Sequence, residues 1–292
     1  MWWDKRLALW AGLKERGHLV VALSKPTTES AGAWVYPPLA TACDLLMLEF
    51  AGSNPTYFAE DLAATWAIIR NHKGPVVFLC DDPDLLPEWG DLETDYRRWQ
   101  VWWNCLDTGE GVLPAEVEVI DAPFGGLLGA ETLEAAEDDT LAYIGRTDGR
   151  VRRLRELLRE KVPFVVYGRG KEWDEFGGAG WIRALPRQPL RRAILHRHLG
   201  VLGLADARHR AMGWRTGRIF HGIAAGVPAI VELGHRGLAG ILPTYSNGAE
   251  ARRLAESYRA DPNTRHEAWQ AGVEMLTAHR AQMGRLLDGL PA

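Results

Sequence analysis

Thr216-Gly217-Arg218-Ile219-Phe220-His221-Gly222-Ile223-Ala224-Ala225-Gly226-Val227-Pro228-Ala229-Ile230-Val231 reads as a polar turn, a short helix and a buried strand. The first turn of a helix has unpaired N–H groups and the positive end of the helix dipole, so it favours an anion. Thr216 adds a hydroxyl there and Arg218 a planar two-pronged donor, a set that suits a phosphate. The small residues Ala224, Ala225 and Gly226, then Pro228, lead into the apolar run Ala229-Ile230-Val231. An ordinary helix–turn–strand of an α/β domain shares this pattern, so residues elsewhere must decide.

The same alternation extends in both directions. Upstream, Leu141–Gly145 reads as a strand running into Arg146-Thr147-Asp148-Gly149-Arg150, followed by a helix over 151–160 and a strand over 163–168. A helix over 191–199 and a strand over 201–204 come next, and helices over 249–258 and 264–287 close the chain. In the first half, a helix over 4–16 ends at Gly17 and is followed by a strand over 19–23. A strand over 44–50, a helix over 58–71, a strand over 75–80 and a strand over 117–120 complete the pattern. Strands alternating with helices across short turns imply parallel, doubly wound sheets. The acidic run Glu131–Thr140 reads as a linker.

Bulk properties bound the class. A length of 292 residues suits two domains, and 47% hydrophobic with 25% charged residues is the balance of a soluble globular protein. No apolar run reaches about 18 residues, so no membrane span is expected. The start, Met1-Trp2-Trp3-Asp4-Lys5-Arg6, lacks a signal-peptide layout, and Cys43, Cys80 and Cys105 have no paired spacing. A cytoplasmic setting is expected. Net charge is −4, but residues 1–139 carry 9 basic and 24 acidic side chains, and residues 140–292 carry 25 and 14. The basic half suits anions such as a nucleotide diphosphate or a nucleic-acid backbone. Attraction between the halves would account for the signs, though not for arginines grouped at strand ends.

In open α/β sheets ligands bind beyond the carboxyl ends of the strands. Arg146, Arg150 and Arg218 fall at such points and would repel one another without an anion between them. Charge growing on a phosphate leaving group would be stabilised there. Arg152, Arg153, Arg155 and Arg159 read as solvated or as facing nucleic acid. Asp81 directly follows the strand over 75–80 and can take a proton from an attacking hydroxyl. Asp82-Pro83-Asp84 has a spacing that a metal could use, but it is short and common, and Asp84 reads better as a helix cap. No metal site is expected. Trp89, Trp99, Trp102 and Trp103 cluster with Tyr96, Arg97 and Arg98. Such a set would stack an extruded base and hold its phosphates, or pack in the core, and sequence weighs the two evenly.

These residues resemble a family, the DNA β-glucosyltransferases of T-even-type bacteriophages, diffusely but over about residues 4 to 285. Gly145-Arg146 with Arg150 resembles the family's diphosphate-binding arginines before a helix, and Arg218-Ile219-Phe220-His221 resembles its Arg-x-x-Glu. There the arginine binds phosphate and the glutamate holds the donor ribose, and His221 stands at the glutamate position. Phe78-Leu79-Cys80-Asp81, followed by Leu86-Pro87, is similar to the segment with the catalytic aspartate, and Asp44–Phe50 with Gly52-Ser53-Asn54 to the corresponding strand and loop. The chain opens in what looks like the family's first helix, so the opening strand and its loop near the donor sugar are expected to be missing.

The resemblance implies the GT-B architecture: two Rossmann-like, doubly wound parallel-sheet domains facing a central cleft. The acceptor-side domain would span 1–138, the nucleotide-sugar domain 139–270, and a helix over 271–292 would return toward the first. It implies a hexosyltransferase that moves a sugar, glucose in the family, from a UDP-sugar to a hydroxymethyl group, as on 5-hydroxymethylcytosine, in duplex phage DNA. The reaction would be inverting, with the base flipped and Asp81 as general base. Arg146, Arg150, Thr216 and Arg218 would hold the diphosphate, Gly145, Ile182 and His221 the ribose and base, and Asp4 the sugar. Trp89, Arg97, Arg98 and Trp99 would meet the DNA. The UDP-sugar is a co-substrate, with no tightly bound cofactor and at most a non-essential divalent cation. A monomer in the cytoplasm of a phage-infected bacterium is expected. Two other readings remain: a GT-B transferase for a small-molecule, glycan or lipid-linked acceptor, and an inactive nucleotide-sugar-binding protein.

Overall fold

Leu141-Ala142-Tyr143-Ile144 is apolar at consecutive positions, and such a run forms a strand covered on both faces. The computed structural model describes residues 2–20, 43–49, 69–80, 96–107, 113–130, 132–147, 149–168, 173, 176, 182–184 and 188–291. The chain divides into two compact units: Met1–Leu9 with Pro123–Gly284, and Trp10–Ala122 with Arg285–Ala292. The sequence reading put the division at 138/139, inside the larger unit at the first residue of a strand.

The larger unit holds a six-stranded parallel sheet. In chain order its elements are β5 (Asp138–Ile144), α2 (Val151–Arg159), β6 (Phe164–Gly168), β7 (Ile182–Ala184), α3 (Gln188–Leu195) and β8 (His198–Gly203). Then come α4 (Ala207–Met212), α5 (Gly217–Ala224), β9 (Ala229–Glu232), β10 (Thr244–Tyr245), α6 (Gly248–Ala260) and α7 (Pro262–Asp288), whose last residues belong to the smaller unit. The sheet runs β10-β9-β8-β5-β6-β7, so strand order reverses at the β5/β8 junction, as in a dinucleotide-binding fold. Alternate residues of β5 serve opposite faces. Leu141 and Tyr143 pack with Leu154 and Leu157 of α2 and Ala251 and Tyr258 of α6. Ala142 and Ile144 pack with Ile219, Phe220 and Ile223 of α5 and Met275 and Leu276 of α7. Helices therefore cover both sides, and the sheet is doubly wound. The acidic stretch read as a linker is tied to this sheet: the Glu137 and Asp138 amides donate to the Arg197 carbonyl at 2.9 and 2.8 Å.

The smaller unit holds a parallel sheet ordered β1 (Leu46–Glu49), β2 (Val76–Cys80), β3 (Trp99–Trp103), β4 (Glu118–Asp121). Trp99, Trp102 and Trp103 all lie in β3 and are buried. Phe78 and Trp99 pack with ring centroids 5.2 Å apart, and the Trp103 indole N–H donates to Asp107 at 2.9 Å. Trp99 is thus a core residue, and its expected stacking on DNA is corrected: a ring closed to solvent and packed against Phe78 has no free face for a base. The first helix, α1 (Trp2–Glu15), ends before Gly17, whose φ is +84°. Of the strand expected over 19–23, Leu19 and Val20 are irregular and the rest lies outside the described residues.

Candidate functional site

The β5/β8 junction is where a doubly wound sheet leaves a crevice, and the segments that leave these strands carry most of the expected donor residues. From β5 the chain passes Gly145 and Arg146, which is exposed, to Arg150, which is buried at the start of α2. From β8 it passes Leu204 to Asp206, the N-cap of α4. Thr216 caps the N-terminus of α5 through its backbone conformation, and its side chain makes no capping bond. Arg218 and His221 lie one turn apart on that helix, His221 buried and Arg218 half-buried.

Short polar links join these segments. The Arg218 Nη1 donates to the Tyr143 hydroxyl at 3.0 Å and to the Leu204 carbonyl at 3.4 Å. The Tyr143 hydroxyl in turn donates to the Arg146 carbonyl at 2.9 Å. A side chain at Gly145 would put its Cβ 2.6 Å from both Arg218 Nη1 and the Tyr143 hydroxyl, so this position needs glycine for close approach. Asp206 accepts from the His209 amide at 2.8 Å, faces His209 Nδ1 at 2.6 Å and pairs with Arg150 at 3.4 Å. Partial burial raises the cost of its charge, yet the amide, His209 and Arg150 hold its carboxyl below the usual carboxylate range.

Glu232, at the end of β9, is almost fully buried and accepts from Arg153 of α2 at 2.6 Å and Arg210 of α4 at 2.7 Å. Next to it His235 is buried, and burial, with the charges of Arg210, Arg218 and His209, pushes its pKa down to about 4. Guanidinium charge from Arg146, Arg150, Arg153, Arg210 and Arg218 thus outweighs the carboxylates of Asp206 and Glu232. Both carboxylates already face arginines, so this cluster suits an anion. Among the described residues no group of three or more His, Cys, Asp and Glu side chains could hold a metal.

The structure therefore brings Gly145, Arg146, Arg150, Thr216, Arg218 and His221 into one unit, on segments that leave β5 or open α5. Ile182 lies in β7 and Asp4 in α1, placed by backbone alone. Arg97 is exposed, whereas Arg98 donates to the carbonyls of His72 at 2.8 Å and Gly74 at 2.9 Å. Asp81, Asp82, Asp84 and Trp89 lie outside the described residues. Sequence reading missed Tyr143, Asp206, His209, Arg210, Glu232 and His235. A signal existed only for Asp206, an aspartate after an apolar strand and before a helix-forming run.

No family model and no curated protein matches the chain. Solved structures do. The DNA-modifying enzyme beta-glucosyltransferase, with and without uridine diphosphoglucose, aligns with a TM-score of 0.68 at 12% identity, over 97% of this chain and 91% of its own. T4 phage BGT with its UDP-glucose substrate aligns at 0.66 and 12% identity, over 96% and 91%. The same phage enzyme with UDP and Mn2+ aligns at 0.61 and 13% identity, over 85% and 82%. The chain has the fold of these GT-B proteins, two α/β units with parallel sheets, so the family resemblance read from the arginine motifs holds at the level of fold. No helix among the described residues is long and apolar enough to cross a membrane.

Proposed function

We propose that the chain is a UDP-sugar-dependent glycosyltransferase whose acceptor is a hydroxymethylated pyrimidine in duplex DNA. The observation that carries this reading is the cationic cluster at the switch point of a doubly wound sheet, with the N-terminus of α5 opening beside it. The diphosphate lies on Arg146, Arg150, Thr216 and Arg218, and Gly145, Ile182 and His221 take the ribose and base. Asp81 accepts the proton of the acceptor hydroxymethyl group as its oxygen attacks the anomeric carbon. The bond from that carbon to the diphosphate oxygen breaks, and its electron pair leaves on UDP. The arginines and the helix dipole stabilise that growing charge, and configuration inverts. Likeness to T4 phage BGT in complex with its UDP-glucose substrate supports the donor class. Its companion, described as a DNA-modifying enzyme, supports the acceptor.

Hydroxymethylcytosine duplex incubated with UDP-glucose and other UDP-sugars, then digested for nucleoside mass spectrometry, tests both halves. A hexosylated nucleoside with wild type, lost in Asp81→Asn while UDP binding persists, is expected. Transfer at an unchanged rate by Asp81→Asn would remove the general base from the scheme. A second reading, a small-molecule or glycan acceptor, is favoured by the acid excess of residues 1–139, which would repel a polyanion. Release of UDP without DNA modification, accelerated by such an acceptor, would select it.

A further inference from the structure

Two segments that carry donor-site arginines meet at one phenol. Tyr143 sits on β5 with its side chain fully buried, packed edge-on against Trp173 with centroids 6.1 Å apart. Its hydroxyl has one proton, which goes to the Arg146 carbonyl at 2.9 Å, and lone pairs, one of which receives Arg218 Nη1 at 3.0 Å. The Arg218 guanidinium also lies 5.3 Å from the centre of the Tyr143 ring, a cation–π distance. The same Nη1 reaches the Leu204 carbonyl at 3.4 Å, so two oxygens from β5 and the β8 exit fix one nitrogen of the fork. Gly145 keeps this approach open.

We propose that Tyr143 is a positioning residue of the phosphate site, its hydroxyl holding Arg218 and the Arg146 main chain in one phosphate-binding geometry. This rests on reading the cluster as a diphosphate site. Among amino acids only tyrosine combines an apolar ring that fills the β5 layer with a terminal group that donates and accepts at once. A pre-set guanidinium loses less freedom when an anion arrives, and that saving appears as affinity. Tyr143 touches no phosphate itself. It acts through Arg218 and the Arg146 main chain, so its effect must shrink when Arg218 is gone.

The test titrates the full chain and its Tyr143→Phe, Arg218→Ala and doubly substituted variants with UDP and with inorganic pyrophosphate, and records their melting temperatures. Phenylalanine keeps the ring and its packing. Tyr143→Phe is expected to weaken both probes about tenfold, as for loss of a bond to a charged group, and to weaken both by clearly less once Arg218 is alanine. Retained wild-type affinity in Tyr143→Phe, or equal losses with and without Arg218, would overturn the inference. The second outcome, with a lowered melting temperature, would make Tyr143 a structural residue alone. Wild type binding neither probe would instead remove the diphosphate reading, and this inference with it.

Discussion

His235 sits beside the cluster, and burial first, then the charges of Arg210, Arg218 and His209, outweigh a hydrogen bond to its own backbone and lower its pKa to about 4. An imidazole in the unfolded chain titrates near 6.5. Between those values the unfolded state binds the extra proton, so stability present above about pH 6.5 drains away as pH falls toward about 4. The drop is on the order of 3 kcal/mol, and urea midpoints measured across that interval should lose most of their slope in His235→Gln. A slope that persists would place the titrating group elsewhere. Asp206 works in a lower window: its carboxyl is held below the ordinary value, so its contribution goes only as pH falls below about 4. At Gly145 the constraint is steric. Gly145→Ala puts a methyl in the space that Arg218 and Tyr143 use, and UDP affinity should fall about tenfold or more as the guanidinium is displaced. Titration calorimetry reads this directly, and unchanged affinity would mean that Arg218 binds from another position. The arginines and Thr216 were legible in sequence because a helix N-terminus is a local signal. Tyr143, Glu232 and His235 were not, because their partners are set by folding: Arg218 is 75 residues from Tyr143, and Arg153 is 79 from Glu232.

α5 is placed by a glycine. A Cβ on Gly222 would collide with the Cβ and one methyl of Val201 in β8, whose branched side chain is stiff about its first torsion. The helix therefore lies close on the sheet, and this fixes where its N-terminus opens. Gly222→Ala should push the helix outward, costing about 1–3 kcal/mol by overpacking and weakening UDP binding together with stability. A melting temperature and UDP affinity both at wild-type values would show slack under α5. Glu232 ties two further helices, α2 through Arg153 and α4 through Arg210, to the end of β9. Glu232→Gln leaves two buried-side guanidiniums on a neutral amide, and a loss of about 3 kcal/mol in denaturant titration is expected. Strands with unbroken apolar runs, β2, β5, β6 and β9, were readable from sequence, as were the long closing helices, whereas β8 was readable only from Val201, because His198 and Leu199 continue the helical pattern expected over 191–199. The β3 tryptophans were ambiguous, since flanking arginines make a core strand and a nucleic-acid loop look alike. The six residues of α4 and two of β10 are too short for a periodic signal, and only the neighbouring sheet makes them regular.

At the scale of the molecule the question is what a chain so unevenly charged can approach. Residues 140–292 carry 25 basic and 14 acidic side chains, and residues 1–139 carry 9 and 24, so only the later half attracts a phosphate backbone. Part of that excess is spent within the fold: Arg150, Arg153 and Arg210 face Asp206 and Glu232. Arg152 and Arg159 of α2 are exposed, and Arg159 pairs with the half-exposed Glu160 at 3.5 Å. Surface cations of this kind bind DNA by releasing its counterions, and each phosphate contact steepens the salt dependence of the logarithm of affinity by about 0.9. If the acceptor is duplex DNA and α2 faces it, Arg152→Ala and Arg159→Ala should each lower the slope by roughly that amount while leaving UDP affinity unchanged, because neither residue lines the donor cluster. Fluorescence anisotropy of a labelled hydroxymethylated duplex across a salt series measures the slope, and calorimetry with UDP measures the control. A slope near zero in the wild type would mean that no phosphate row is engaged, and a neutral, small acceptor would then fit the charge distribution better than DNA. A steep slope untouched by either substitution would keep DNA as the acceptor and move its contacts away from α2.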